Sequence, residues 1–169
     1  MSQSYEVTAT VPLTPEEAFA LAHTLGPDRT AWDTRVVKQL LLRDATRLGS
    51  GAQVFVRLDD GLRLIQEYDH WMPGQLSSTR LVKGPWWLES YGEGWHFAPT
   101  DGGTRVTWKT TFRHRLPVFG PQAEQVMLVK LRALLEARMD DFCAAARDVE
   151  LVERATAGSL PHGARHRDR

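Results

Sequence analysis

A chain of 169 residues carrying 21 basic and 21 acidic side chains fits a single domain, large enough to bury about two thirds of its unfolded surface without a disulfide or metal staple. Balanced charge gives no electrostatic argument for nucleic acid or for an anionic membrane surface. No apolar run reaches the roughly eighteen residues needed to span a bilayer, and the opening MSQSYEVTATV has neither the basic start nor the apolar core of a signal peptide, which predicts a cytoplasmic protein.

Arginine outnumbers lysine 17 to 4, a coding bias that suggests a GC-rich, bacterial genome rather than a binding signal. The single cysteine, Cys143, cannot form an internal bridge and reads as a small buried or half-buried thiol.

In chain order, Tyr5, Val7, Ala9 and Val11 alternate with Glu6, Thr8 and Thr10, the pattern of a half-buried strand. Thr14, Pro15 and Glu17 then supply an N-cap, a first-turn proline and a capping box. They predict a short helix over residues 15–25 that buries Ala18, Phe19 and Ala22 and stops at Gly26-Pro27. Residues 28–34 read as a turn or a second short helix holding Trp32. Strands are predicted over residues 36–43, 52–58, 62–71, 75–82, 88–97 and 104–113. Gly49-Ser50-Gly51, Asp59-Asp60-Gly61, Pro73-Gly74, Lys83-Gly84-Pro85 and Thr100-Asp101-Gly102-Gly103 separate them. Links this short require antiparallel neighbours.

Pro117, Gly120 and Pro121 lead into one long amphipathic helix over residues 121–150, which would span roughly 45 Å. Leu128, Leu131, Leu135, Phe142 and Ala146 fall near one face; Arg132, Glu136, Asp140 and Arg147 fall largely on the other. The expected fold is α+β: a seven-stranded curved antiparallel sheet wrapped around the long C-terminal helix, with two short helices between strands 1 and 2. The domain runs from residue 3 to 152, and the Gly, Pro, His and Arg of residues 153–169 predict a disordered tail.

A sheet clasping a helix leaves room for a guest. With Trp95, Phe97, Val106, Trp108 and Phe112 facing inward, the sheet presents an aromatic wall. These rings either fill the core against Leu131 and Leu135 or stack on a flat or acyl ligand. The polar candidates are Glu67, Tyr68, His70, Arg80, Tyr91 and His96. Strand parity puts Tyr91, Glu89 and Glu93 on the face of Trp95, and His96 on the other. It turns Tyr68, and His70 with it, inward beside Leu62, Leu64 and Gln66, unless a bulge reverses the order.

Tyr68, Arg80 and Tyr91 are the candidates to bind a carbonyl or phenolate oxygen, and equally fit as satisfied polar groups at a cavity rim. Trp86 and Trp87, at a hairpin tip, fit a pocket lip or a contact between two copies of the chain. His23 belongs to a short surface helix and His114 to a solvated strand end. No metal-ligand spacing, glycine-rich phosphate loop or Gly-x-Ser-x-Gly elbow is present, so neither a metal nor another cofactor is expected.

Several stretches resemble the polyketide cyclase/dehydrase branch of the SRPBCC superfamily, the START-related helix-grip proteins. They are Val11-Pro12-Leu13-Thr14-Pro15-Glu16-Glu17-Ala18-Phe19, Ala31-Trp32-Asp33, Leu48-Gly49-Ser50-Gly51-Ala52, and Gly94-Trp95-His96-Phe97-Ala98-Pro99 followed by Asp101-Gly102-Gly103-Thr104-Arg105-Val106-Thr107-Trp108. The resemblance covers about residues 3–150 and implies the helix-grip fold. Family members range from carriers to cyclases to partner-binding modules, without a shared catalytic motif.

Three readings are open. The cavity takes a hydrophobic small molecule without chemistry, with Tyr68, Arg80, Tyr91, Trp95, Phe97, Trp108, Leu131 and Leu135 around it. Alternatively, an aromatase/cyclase or dehydratase uses the same cavity. In the third, Trp86 and Trp87 serve protein contact. The absence of paired carboxylates at diagnostic spacing favours the first.

Overall fold

The computed structural model describes residues 2–115 and 121–159, with side chains described from residue 125 onward in the second stretch. The elements run β1 (Gln3–Val11), α1 (Pro15–Ala22), α2 (Gly26–Trp32), β2 (Val36–Leu41), β3 (Gln53–Leu58), β4 (Arg63–Met72), β5 (Leu76–Lys83), β6 (Leu88–Thr100), β7 (Gly103–His114), α3 (Pro121–Ala145) and α4 (Val149–Ser159). The strands form one antiparallel sheet in the order β1-β7-β6-β5-β4-β3-β2. Only the connection carrying α1 and α2 is long: it takes the chain from one edge of the sheet to the other. This is the helix-grip arrangement.

Local chemistry sets the helix ends. Thr14 Oγ1 accepts from the Glu17 amide, and the Glu17 carboxylate accepts from the Thr14 amide, closing the capping box. α1 ends at Ala22, earlier than expected, and Gly26-Pro27 opens α2 instead of stopping α1. Proline is suited to a first turn because its missing N–H has no intrahelical partner there.

The expected 30-residue helix is two helices. α3 stops at Ala145, and Asp148 Oδ1 then accepts from the Leu151 amide as the cap of α4. Residues 153–159, expected to be tail, are helical, and Leu151, Val152 and Ala155 of α4 are buried, the first two within the main core. Residues 160–169 of the expected tail, and Pro117 and Gly120 of the expected lead-in, lie outside the described residues.

The interior has two unlike halves. On the β1/β7/β6 side, α1 and α3 pack onto the sheet and α4 onto α1, in one core around Phe19, Trp95, Phe97, Trp108, Leu135 and Phe142. Trp95 and Trp108 are cross-strand partners and stack with ring centroids 4.0 Å apart. On the β2–β4 side, Val36, Val54, Val56, Leu58 and Tyr68 form a second cluster, where half-buried Leu134 is the one hydrophobic side chain of α3 among the described residues. A third joins Leu64, Leu88, Tyr91 and Phe112 to the half-buried Trp87, Met127 and Leu131.

β6 crosses between these halves. At Gly92 it runs so close to β5 that a Cβ would lie 2.7 Å from the Thr79 carbonyl oxygen, whereas a Cβ at Gly94 would meet nothing closer than 3.9 Å. Gly92→Ala is therefore expected to cost about 1–3 kcal/mol by forcing the two strands apart. Gly94→Ala should be near neutral, since loss of glycine's unfolded-state freedom offsets any adjustment. Urea midpoints of the two variants check the contrast.

Candidate functional site

An enclosed cavity of about 20 Å³, room for roughly one water, lies between the concave face of β2–β6 and helices α2 and α3. Val36, Val54, Val56, Leu58, Leu64 and Trp95 form its apolar wall. Its polar side is made by Arg29 of α2, Gln39 of β2, Gln66 and Tyr68 of β4, Thr79 of β5, Tyr91 and Glu93 of β6, and Arg138 of α3.

A buried ionic network forms the floor. Asp33, fully buried after α2, receives Arg29 Nη2 at 2.8 Å, Arg138 Nη2 at 2.9 Å and Arg138 Nε at 3.2 Å. Arg138 Nη1 reaches Glu93 at 3.2 Å, and its guanidinium lies 4.3 Å over the Trp108 ring. Arg29 stacks in the same way 4.4 Å over Trp32. Burial by itself pushes the Asp33 carboxyl up, but the Arg138 and Arg29 charges and their hydrogen bonds overcome it and hold it below the usual carboxylate range. Burial works against the Arg138 charge as well, yet Asp33 and Glu93 raise its pKa above the ordinary arginine value.

The tyrosines face this floor as neutral donors. Burial pushes the Tyr68 hydroxyl up to about 12. Tyr91 is raised well above its ordinary value by burial and by the Glu93 charge, to which its hydroxyl donates at 2.6 Å. Neither gives up its proton near neutral pH, so neither acts as a ready base; Tyr91 spends its one O–H on Glu93, which leaves Tyr68 as the tyrosine donor for a ligand oxygen.

The candidates from sequence divide sharply. Tyr68, Tyr91 and Trp95 line the cavity. Phe97, Trp108 and Leu135 lie instead in the solid half of the core, and Leu131 is half-buried beside the third cluster. Arg80 is on the opposite face of the sheet, exposed and paired with Glu67 at 2.6 Å, its cross-strand partner.

His70 is exposed too. The β4–β5 register shifts between Tyr68 and His70, and Trp71 turns inward in its place to pack on Phe19 and Tyr68. A second shift between Leu88 and Ser90 leaves Glu89 outside, paired with Arg113, while Glu93 stays in. The tryptophan pair splits: Trp87 is half-buried, whereas Trp86 is 76 % exposed over an open cleft of about 280 Å³ that also touches Val82, Leu88 and Arg115.

Arg29, Asp33, Gln39 and Arg138 were missed as interior groups, because their surroundings are assembled from elements far apart in sequence. His23 was missed for another reason: α1 is not a surface helix. His23 is buried among Phe19, Tyr68, Trp71 and Trp95. Its Nδ1 lies 2.6 Å from the Phe19 carbonyl, which can only accept, so Nδ1 carries the proton and Nε2 accepts from Ser77 Oγ at 2.7 Å. Burial depresses its pKa to about 3. Burial also raises the Cys143 thiol, opposite to what a reactive thiolate needs. Among the described residues no group of three His, Cys, Asp or Glu side chains could hold a metal ion, and no helix is long and apolar enough to cross a membrane.

Residues 2–147 match the family described as polyketide cyclase / dehydrase and lipid transport. Among solved structures, a protein from Thermus thermophilus is similar at 19% identity and a TM-score of 0.70, over 94% of this chain and 100% of that one. A START superfamily protein from Mycobacterium smegmatis shows 13% identity and a TM-score of 0.63, over 89% and 98%. The di-domain ARO/CYC protein of the steffimycin biosynthetic pathway shows 16% and 0.68, over 88% of this chain and 51% of its own. Identities this low show a shared fold. No curated protein matches the sequence.

The buried charges and the buried imidazole each have a measurable consequence. Asp33→Ala removes the anion that Arg29 and Arg138 share, leaving Arg138 with Glu93 alone, and should cost about 3–5 kcal/mol in a denaturant titration. His23 stays neutral in the fold but takes a proton near pH 6.5 when unfolded, so stability is lost as pH falls below 6.5. The slope should be about 1.4 kcal/mol per pH unit, before carboxylates begin to contribute at lower pH. His23→Gln should flatten it, as urea midpoints measured between pH 7 and pH 5 will show.

Proposed function

The chain belongs to the polyketide cyclase / dehydrase and lipid transport family, and on that premise we propose that it binds a hydrophobic or aromatic small molecule, lipid- or polyketide-like, between the β2–β6 half of the sheet and α3. The carrying observation is the division of the cavity lining into an apolar wall and a polar floor. That is the composition of a small-molecule site, where apolar area supplies affinity and a few fixed polar groups supply orientation.

At about 20 Å³ the cavity is closed to any such guest, so binding requires it to open. The pattern of burial along α3 supports a place for this. Val126 and Val129 are exposed and Leu128, Leu131 and Leu134 are not fully buried, whereas Leu135, Met139 and Phe142 are sealed in the core. The N-terminal half of α3 is the more weakly held, and lifting it widens the space above the polar floor.

A second reading, a cyclase or dehydratase in the same cavity, is favoured by the neutral Tyr68 donor beside Arg138 and Glu93. Tyr68 would orient and polarise a carbonyl of a poly-β-ketone chain. The ARO/CYC protein with the same fold supports this reading by analogy only.

Titration with the neutral fluorescent probe N-phenyl-1-naphthylamine tests the first reading. Leu64→Phe adds roughly the volume of one water to a wall residue. It should weaken probe binding by about tenfold or more by occupying the space the ligand body needs, with the unfolding midpoint retained. Trp86→Ala should leave binding unchanged. Equal affinity in wild type and Leu64→Phe would place the probe elsewhere and remove the proposal. Tyr68→Phe separates carrier from catalyst: affinity changes by less than about tenfold in a carrier, whereas turnover of a poly-β-ketone substrate drops by roughly a hundredfold or more in an enzyme.

A further inference from the structure

Arg29 and Gln39 meet the same cavity from α2 and β2, and each leaves one buried polar atom without a hydrogen-bond partner: Arg29 Nε, an N–H donor, and Gln39 Oε1, an acceptor. The rest of the Arg29 guanidinium is committed. Nη1 donates to the Ala22 carbonyl at 2.6 Å and Nη2 to Asp33 at 2.8 Å. Nearly all buried polar atoms in folded proteins find a partner, so an unpaired donor and an unpaired acceptor on one cavity call for a group that is both. A hydroxyl is such a group, and the space of about 20 Å³ admits one oxygen-sized centre.

Charge narrows the choice further. The titratable groups around the cavity are Arg29 and Arg138 against Asp33 and Glu93, two of each sign, joined in one network. Tyr68, Tyr91 and the nearby His23 are uncharged at neutral pH. A carboxylate placed here would add an uncompensated buried charge and could not donate to Gln39. An ammonium would add the opposite charge and could not accept from Arg29.

We infer that the site selects neutral molecules with an apolar body and a terminal hydroxyl, phenol or alcohol, and discriminates against carboxylates and ammonium groups on a body of the same shape. The inference rests on the binding reading above, and it specifies the ligand class.

Equilibrium dialysis of the full chain at pH 7 with 2-naphthol, naphthalene and 2-naphthoate tests it. The naphthol should bind about tenfold tighter than naphthalene, the worth of one or two satisfied hydrogen bonds, and the naphthoate more weakly than either. In Gln39→Met the preference for naphthol over naphthalene should shrink toward about one, because the acceptor is gone while the side-chain volume is kept. If naphthol and naphthalene bind the wild type equally, or naphthoate binds as tightly as naphthol, the hydroxyl preference is overturned while the binding reading stands. If none of the three binds, the binding reading falls and takes this inference with it. The ligand series uses the wild-type chain, so its outcome does not depend on the variant folding.

Discussion

Asp33 is the anion on which the interior is organised. It lies at the C-terminal end of α2, fully buried, and two arginines from different elements converge on it. Taking a carboxylate and two guanidiniums out of water costs several kcal/mol per ion, which only close pairing with further hydrogen bonds offsets. Here the offset is nearly complete: Glu93 supplies the fourth charge, and Trp108 and Trp32 lie against the two guanidiniums. A half-made network of this kind would be worse than an apolar core. The positions of α2, α3 and β6 are thereby coupled, since none can move far without stranding a charge.

That coupling explains why the two halves of the interior differ. Arg138 sits at the boundary, with Trp108 and the solid core on one side and Asp33, Glu93 and the cavity on the other. C-terminal to it, Met139 and Phe142 are locked in the main core with Leu151 and Val152 of α4. N-terminal to Leu135, the side chains with which α3 meets the sheet, Met127, Leu128, Leu131 and Leu134, are only half-buried. The helix is thus anchored at one end by packing and charge together. The sheet contributes the complementary asymmetry through the register shifts at Tyr68/His70 and Leu88/Ser90, which turn Trp71 in and His70 out in β4 and keep Glu89 away from the network in β6.

Much of the fold is legible in the sequence because its signals are local. Alternation fixes the strands of β3, β6 and β7, where Val54, Val56 and Leu58, Trp95 and Phe97, and Val106 and Trp108 are buried in turn. Thr14 and Glu17 announce α1 within four residues. Asp148 could have announced the start of α4 in the same way, since a side chain that caps three residues ahead needs only a few neighbours to be recognised. The site is less legible. Tyr68, Tyr91 and Trp95 follow from parity, but the register shift at His70 depends on how β4 meets β5. The Arg138–Asp33 bond closes over 105 residues of sequence. A charged residue on an amphipathic helix reads as solvent-facing, and only the distant partner offsets the cost of its burial. Arg80 shows the converse: a polar residue on a strand whose outward partner, Glu67, claims it for the surface.

The closed cavity sets the terms for any guest. A ligand that buries a few hundred Å² of apolar surface gains roughly 25 cal/mol for each Å², but part of that gain goes to prising the N-terminal half of α3 from the sheet. Its apparent affinity is therefore the intrinsic affinity scaled by the small fraction of molecules already open. Such a site favours large apolar bodies over small ones, because the opening cost is fixed while the gain grows with area. The polar floor acts in the opposite sense. It is already neutral and largely paired, so a matching end group gains no more than one or two hydrogen bonds, while one that upsets its balance is penalised. Affinity would then come from the wall and the weakly held half of the helix, and selectivity from the network that holds the other half still.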